Sequence, residues 1–320
     1  RVSLFGGGTD LPDFYEANDY GVVLSTAIEK YVYVAINQHP SIYAEKYRLS
    51  YSETERVVTI DEIKNDIVRA SFLKYQVHDS VHLSTWADIP AQTGLGSSSS
   101  FCVALLSALH KCVGKSRSVG AIAAEACEIE IEDLGNKIGK QDQYASAYGG
   151  TNIFRFEARG DVKVEPLSIS STVLNSYFDS VRLYYLDQQR SAAGLLHTQC
   201  QLIEKKVTLY KEMRQITEEV CVLLQSDNED VSFLHEAVNA SWKLKQEMSS
   251  GIVNKKIQEV IDICSREKAD SVKLLGAGGG GFLLVSASDR VHQRISDKSR
   301  LYSFSPKVGA EGVRNLAIKW

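Results

Sequence analysis

Ile89-Pro90-Ala91-Gln92-Thr93-Gly94-Leu95-Gly96-Ser97-Ser98-Ser99-Ser100 is a glycine turn that opens into an apolar run, Phe101 to Leu109. Glycine lets backbone approach a ligand closely, because no Cβ intervenes. The serines fall where a helix would begin, with unpaired amides and the positive end of its dipole facing outward. Such a place holds phosphate, and a first-turn hydroxyl can add a ligand to a magnesium ion. An ordinary serine-capped helix after a turn would read the same way. The rest of the chain decides between the two.

At 320 residues the chain has room for about two domains. Apolar content of 44% and charged content of 24% are those of a soluble globular protein. A net charge of −4 with both signs interspersed argues against a nucleic-acid partner. No apolar run approaches the roughly 20 residues of a membrane span, and no signal-peptide pattern is present. The chain opens on Arg1 rather than methionine, which reads as a few leading residues missing. Six cysteines lie scattered without metal-ligand or redox spacing, mostly in helix-like apolar segments. They read as small buried hydrophobes in a reducing cytoplasm.

Around the glycine turn, Val81–Trp86 alternates in the manner of a strand and Phe101–Leu109 reads as a buried helix. Tyr31–Ile36 is rich in strand formers, and Thr151–Pro166 reads as two strands about Arg159-Gly160-Asp161. Val181–Leu186 is an apolar strand. Helix-like stretches follow over 191–226, 229–249 and 254–268, and Lys273–Ser286 runs strand, glycine turn, strand. This mixture predicts an α+β protein of two layered domains, 1–172 and 173–320.

A helix over 118–134 carries the sharpest clue. Ala123, Ala126, Cys127, Ile131 and Leu134 make one apolar stripe, and Glu125, Glu128 and Glu132 share a solvated face. Glu130 falls inside the stripe. An unpartnered buried carboxylate costs several kcal/mol, so Glu130 calls for a cation, either an arginine or lysine or a metal ion. Downstream, Asp142 lies between Gln141 and Gln143, where it reads as a helix cap or as a base for a hydroxyl proton.

Two more glycine clusters flank these features. Phe5-Gly6-Gly7-Gly8-Thr9-Asp10 sets bare backbone beside a hydroxyl and a carboxylate, natural partners for sugar hydroxyls. Gly276-Ala277-Gly278-Gly279-Gly280-Gly281 exceeds what a hairpin needs, which predicts backbone packed on a ligand or another loop. Neither a Walker A loop nor a dinucleotide fingerprint is present: Gly114-Lys115-Ser116 has Leu109 where the first needs glycine, and Gly94-Leu95-Gly96 lacks the third glycine of the second.

Taken together, Arg1–Asp10, Pro90–Ser100 and Leu275–Gly281 resemble, in order, the three motifs of the GHMP small-molecule kinases. Within them the chain is most similar to sugar 1-kinases acting on D-glycero-D-manno-heptose 7-phosphate. That likeness rests on Phe5–Pro12, Gln141–Ala145, Arg190-Ser191-Ala192, Leu234-His235-Glu236 with Trp242 and Lys245, and Lys273–Phe282.

The resemblance implies an N-terminal domain like ribosomal protein S5 domain 2 and a ferredoxin-like C-terminal domain. It implies ATP as co-substrate, its phosphates over Gly94, Leu95, Gly96, Ser97, Ser98 and Ser99, with Mg2+ held by Ser98 and Glu130. Asp142 takes the position of the catalytic aspartate, and Arg1 that of an arginine neutralising charge near the attacking oxygen. Gly6, Gly7, Gly8, Thr9, Asp10, Gly278 and Gly279 fall around the sugar. Galactokinases carry Glu-His where this chain has Gly7-Gly8, which frees space for a longer or phosphorylated sugar. A terminal phosphate needs cations, for which Arg190 and Lys245 are the candidates. A soluble, cytoplasmic enzyme follows, with a homodimer allowed. Its rivals are a fucokinase-like enzyme acting on an unphosphorylated sugar and a catalytically dead sensor.

Overall fold

The computed structural model describes residues 1–40, 42–167, 172–187, 200–226, 228–249 and 251–316. Twelve strands among them form three four-stranded sheets. The first contains β1 (Val2–Phe5), β2 (Tyr20–Thr26), β7 (Thr151–Glu157) and β8 (Val162–Pro166), antiparallel in that order. All but the first residue of β2 is buried, as its near-continuous apolar run requires. The β7–β8 turn falls at Gly160, with φ +90°, where the sequence anticipated it.

The second sheet contains β3 (Val32–Gln38), β6 (Val81–Ala87), β4 (Tyr47–Ser50) and β5 (Thr54–Val57) in that order. β4 runs parallel to β6 and the other pairs are antiparallel. The last residues of β6 lead straight into the Pro90–Gly96 turn, so this sheet aims the glycine loop.

The third sheet contains β9 (Val181–Tyr185), β10 (Ser271–Leu274), β11 (Phe282–Ser286) and β12 (Ser303–Phe304). Its order, β10-β11-β9-β12, is wholly antiparallel. That order in a β-α-β-β-α-β chain is ferredoxin-like, as the resemblance implied. Between β9 and β10 run the Val207–Leu224, Ser232–Met248 and Lys255–Arg266 helices, and Asp289–Ser299 joins β11 to β12. Of the anticipated helix over 191–226, residues 191–199 lie outside the described residues; 200–202 are helical, Glu204–Lys206 is a tighter helical turn, and Val207–Leu224 is the α-helix.

One hydrophobic cluster joins the two ends of the chain. Val2, Leu4 and Phe5 of β1 pack with Leu183 of β9, Leu284 of β11, and Val220 and Leu234 of the intervening helices. β1 therefore lies at the seam.

The anticipated helix over 118–134 is two elements: an α-helix, Val119–Cys127, and a π-helical continuation, Glu128–Asp133. The wider turn, closed by Leu134 N–H on the Ile129 carbonyl at 3.0 Å, shifts the buried face. Ile129 is fully buried and Ile131 and Leu134 only half so, the reverse of a straight 3.6-residue stripe. Glu130 stays inside, 1% exposed. Glu125 is not on a solvated face: it accepts hydrogen bonds from His110 Nε2 at 2.8 Å and from Tyr75.

Candidate active site

The Ser97–Cys112 helix starts without a serine cap. Its N-cap is Gly96 in the left-handed region, φ +77°, and no side chain closes the first turn. Amides at that end therefore stay available to an anion, which favours the phosphate-cradle reading over the capped-helix one. Gly94, Gly96 and Ser97–Ser99 line a cleft of about 810 Å3, whereas the Leu95 side chain is buried in the core. A Cβ on Gly96 would stand 3.2 Å from Asp142 Oδ2, so the turn and the carboxylate are neighbours.

Asp142 sits in the first turn of the Gln141–Tyr148 helix but does not cap it. Its Oδ1 accepts from Arg1 Nε at 2.6 Å and also from Nη2, while Arg1 Nη1 donates to the Gly94 carbonyl at 3.1 Å. Arg1 thus ties the glycine turn to Asp142, and its side chain is only 5% exposed. The capping role the sequence left open for Asp142 is taken instead by Asp10. Asp10 Oδ2 accepts the Gln141 amide at 3.2 Å, and Oδ1 accepts Gln141 Nε2 at 3.0 Å and the Gly8 amide at 3.0 Å. Burial and the nearby Asp142 charge raise the Asp10 pKa, which these amides partly offset.

Glu130 answers the question its position in the stripe raised. Its partners are all neutral: Ser98 Oγ at 3.1 Å and Gln143 Nε2 at 2.7 Å. Burial pushes its pKa up, against the pull of Ser99, Gln143 and Ser98. Among the described residues it has no arginine or lysine partner. A desolvated carboxylate beside a first-turn hydroxyl, at the mouth of an anion cradle, fits a magnesium ion that would also take phosphate oxygens and water. No group of three or more His, Cys, Asp or Glu forms a metal cage among the described residues, so protein groups alone do not complete a coordination shell.

The third glycine cluster packs against the second. A Cβ on Gly276 would lie 2.4 Å from Gly94 Cα, and one on Gly281 would lie 2.2 Å from the Thr93 carbonyl oxygen. Of the two alternatives for this cluster, the structure gives a neighbouring loop. Lys245 holds it from below, donating to the Leu274 carbonyl at 3.1 Å and to that of Gly276.

Not every anticipated residue reaches the cleft. Gly7, Gly8, Asp10, Lys245 and Gly278 line it. Gly6 and Thr9 are turned toward β2 instead: a Cβ on Gly6 would strike the Val22 carbonyl, and Thr9 Oγ1 donates to the Gly6 and Val22 carbonyls at 2.8 Å each. Gly279 is tied to the 251–254 segment, its amide on the Ile252 carbonyl at 2.9 Å. Arg190 lies outside the described residues. Lys140, unassigned by sequence, donates to the Gly160 carbonyl at 3.0 Å and braces the β7–β8 turn.

Sequence reading missed the apolar end of the cleft, where Val32, Tyr51, Ile67, Trp86 and Phe101 converge. They come from separate segments with no shared spacing. Trp86 stacks on Tyr33 at 5.3 Å yet is 55% exposed. A large uncovered ring at a cleft wall was the available signal, visible only once the sheet is assembled.

The sequence profile of the GHMP kinase N-terminal domain matches residues 62–150, and that of the C-terminal domain matches 223–298. The chain belongs to the GHMP kinase family. This kinase is 29% identical, over 88% of its length and 86% of the relative's, to D-glycero-alpha-D-manno-heptose 7-phosphate kinase of Campylobacter jejuni. It is 26% identical, over 76% of its length but 24% of the relative's, to a bifunctional fucokinase/GDP-fucose pyrophosphorylase of Arabidopsis thaliana. Its fold matches the crystal structure of a D-glycero-D-manno-heptose 1-phosphate kinase from Bacteroides thetaiotaomicron, with a TM-score of 0.79 at 20% identity, covering 100% of this chain and 97% of that one.

Proposed function

We propose that this kinase transfers the γ-phosphoryl group of ATP to the C1 hydroxyl of D-glycero-D-manno-heptose 7-phosphate. A bond forms between the sugar oxygen and the γ-phosphorus, the bond to the β–γ bridging oxygen breaks, and ADP leaves. The observation that carries this reading is the placement of Glu130 and Asp142, two carboxylates with different partners, in one cleft at the glycine cradle.

Asp142 accepts the hydroxyl proton or holds the hydroxyl in line for attack. Arg1, bound to the same carboxylate oxygen, keeps it oriented and offsets negative charge near the attacking oxygen. Ser98 and Glu130 would hold magnesium, which when bound neutralises phosphate charge and orients the transferring group. Amides of the Gly94–Ser99 cradle supply further donors to the phosphates. Trp86, with Val32 and Phe101, offers the flat apolar wall that a purine base takes. Asp10, fixed by Gln141 and Gly8, receives sugar hydroxyls. At Gly7 a Cβ would meet only Ser3 Oγ at 3.5 Å and Gln141 Nε2 at 3.9 Å, so the position has the room a longer sugar needs.

The test is a coupled ADP-release assay across hexoses, heptoses and their terminal phosphates, with the product examined by phosphorus NMR. We expect the highest kcat/KM with heptose 7-phosphate and a new phosphate on the anomeric carbon. Preference for unphosphorylated fucose overturns the heptose assignment in favour of a fucokinase-like enzyme. Absence of ADP release with every acceptor overturns catalysis in favour of binding alone.

A further inference from the structure

Two lysines in the cleft wall, Lys273 buried and Lys245 half-buried, have no counter-anion among the described residues. Lys273 is 4% exposed, and its ammonium donates to the Leu4 carbonyl on β1. Lys245 reaches the carbonyl of Leu274, at the end of β10, and that of Gly276 in the third glycine loop. Both line the cleft, and neither makes an ion pair among the described residues. The charges that act on them are cations: Arg1 on Lys245, and Lys245 and Arg1 on Lys273. Burial and these like charges hold both amines below the ordinary lysine value.

An ammonium has three donors. The carbonyl partners use two at Lys245 and one at Lys273, which leaves donors on both groups. Beside Leu4, Ser3 also lines the cleft, and its buried Oγ has no hydrogen-bond partner. The three carboxylates of the cleft have other partners: Asp142 pairs with Arg1, Asp10 with amides, and Glu130 with Ser98 and Gln143. With no anion beside them the two amines are held toward the neutral form, and a bound phosphate would favour the charged one.

We propose that Lys245 and Lys273, with Ser3, form a phosphate-monoester subsite that takes the terminal phosphate of the acceptor sugar. This rests on the sugar-phosphate reading and names the residues that would enforce it. The sequence names Lys245 as a partner for a terminal phosphate; Lys273 enters there only as the first residue of the Lys273–Ser286 and Lys273–Phe282 stretches. The same chemistry is offered by the γ-phosphate of ATP, and the test separates the two sources.

Lys273→Met and Lys245→Met are assayed with heptose 7-phosphate, with the unphosphorylated heptose and with varied ATP. The expected result is a preference for the phosphorylated over the unphosphorylated acceptor, read as the ratio of their kcat/KM values, reduced roughly 10- to 100-fold, with the rise in KM falling on the phosphorylated acceptor and not on ATP. A rise in KM for ATP instead assigns the lysines to the nucleotide and overturns the proposal. Should the wild type prefer the phosphorylated sugar and the variants keep that preference, the lysine assignment falls and the sugar-phosphate reading stands. A wild type indifferent to the terminal phosphate overturns both. Inorganic phosphate, tested on the unaltered protein, keeps the question open to refutation if the variants do not fold. It should inhibit competitively against the sugar phosphate and not against ATP; the opposite pattern overturns the subsite.

Discussion

Asp142 makes the clearest case of a side chain whose role is set by its neighbours. In the first turn of a helix a carboxylate is ordinarily a dipole partner, but here the Gln141 amide is taken by Asp10, and Arg1 claims Asp142. Asp142→Asn keeps the shape and removes the proton acceptor. We expect turnover to fall about 10²- to 10⁴-fold while calorimetry finds ATP affinity unchanged; near-normal turnover would remove Asp142 from the mechanism. Lys245 gives a second prediction, in stability. Burial and the Arg1 charge bring its pKa down from 10.5 to about 7. Between those values the unfolded chain holds the proton and the folded protein does not, so stability rises with pH across that window and is lost as pH falls through about 7. Urea melts from pH 7 to 10 should show this slope for the wild type and a flatter one for Lys245→Met. Equal slopes would mean that the ammonium is better solvated than its carbonyl partners suggest.

At the scale of elements, the site is two glycine loops pressed backbone to backbone. Gly276, φ +71°, has Gly94 Cα where its own Cβ would be. Gly276→Ala should destabilise the protein by at least about 1–3 kcal/mol and raise KM for ATP, because moving one loop moves the cradle; an unfolding midpoint equal to that of the wild type would show that the loops can separate freely. These loops were legible in the sequence because only glycine meets such demands, and their clustering is visible residue by residue. The buried place of Glu130 was legible too, from a stripe it interrupts. The π-helical turn that puts Ile129 inside in place of Ile131 was not, since it answers to packing rather than to local periodicity. Glu125 was misjudged for a related reason: its partners His110 and Tyr75 come from other helices. The apolar wall around Trp86 left no trace because Val32, Trp86 and Phe101 meet only after β3, β6 and the Ser97–Cys112 helix are assembled.

Across the whole molecule, the site sits where the two ends of the chain meet. β1 carries Arg1 at its mouth and gives the Leu4 carbonyl to Lys273, while Val2, Leu4 and Phe5 share a core with β9 and β11. The cradle comes from the N-terminal half and the loop pressed on it from the C-terminal half, so separating the halves would dismantle the cleft and expose that core together. Apolar burial of about 25 cal/mol per Å2 makes such an exposure costly, and the two halves should therefore unfold as one cooperative unit. Two tryptophans allow a direct check, since Trp86 reports from β6 and Trp242 from the core around Tyr184 and Leu283. Urea unfolding of Trp86→Phe and of Trp242→Phe, each combined with Trp320→Phe so that one tryptophan remains, and each followed by fluorescence and by circular dichroism, should give transitions in which both probes coincide within each variant. If the fluorescence of one variant moves at a denaturant concentration where its circular dichroism is still native, one half opens before the other. β1 would then be a hinge between two separately stable bodies instead of a strand common to both.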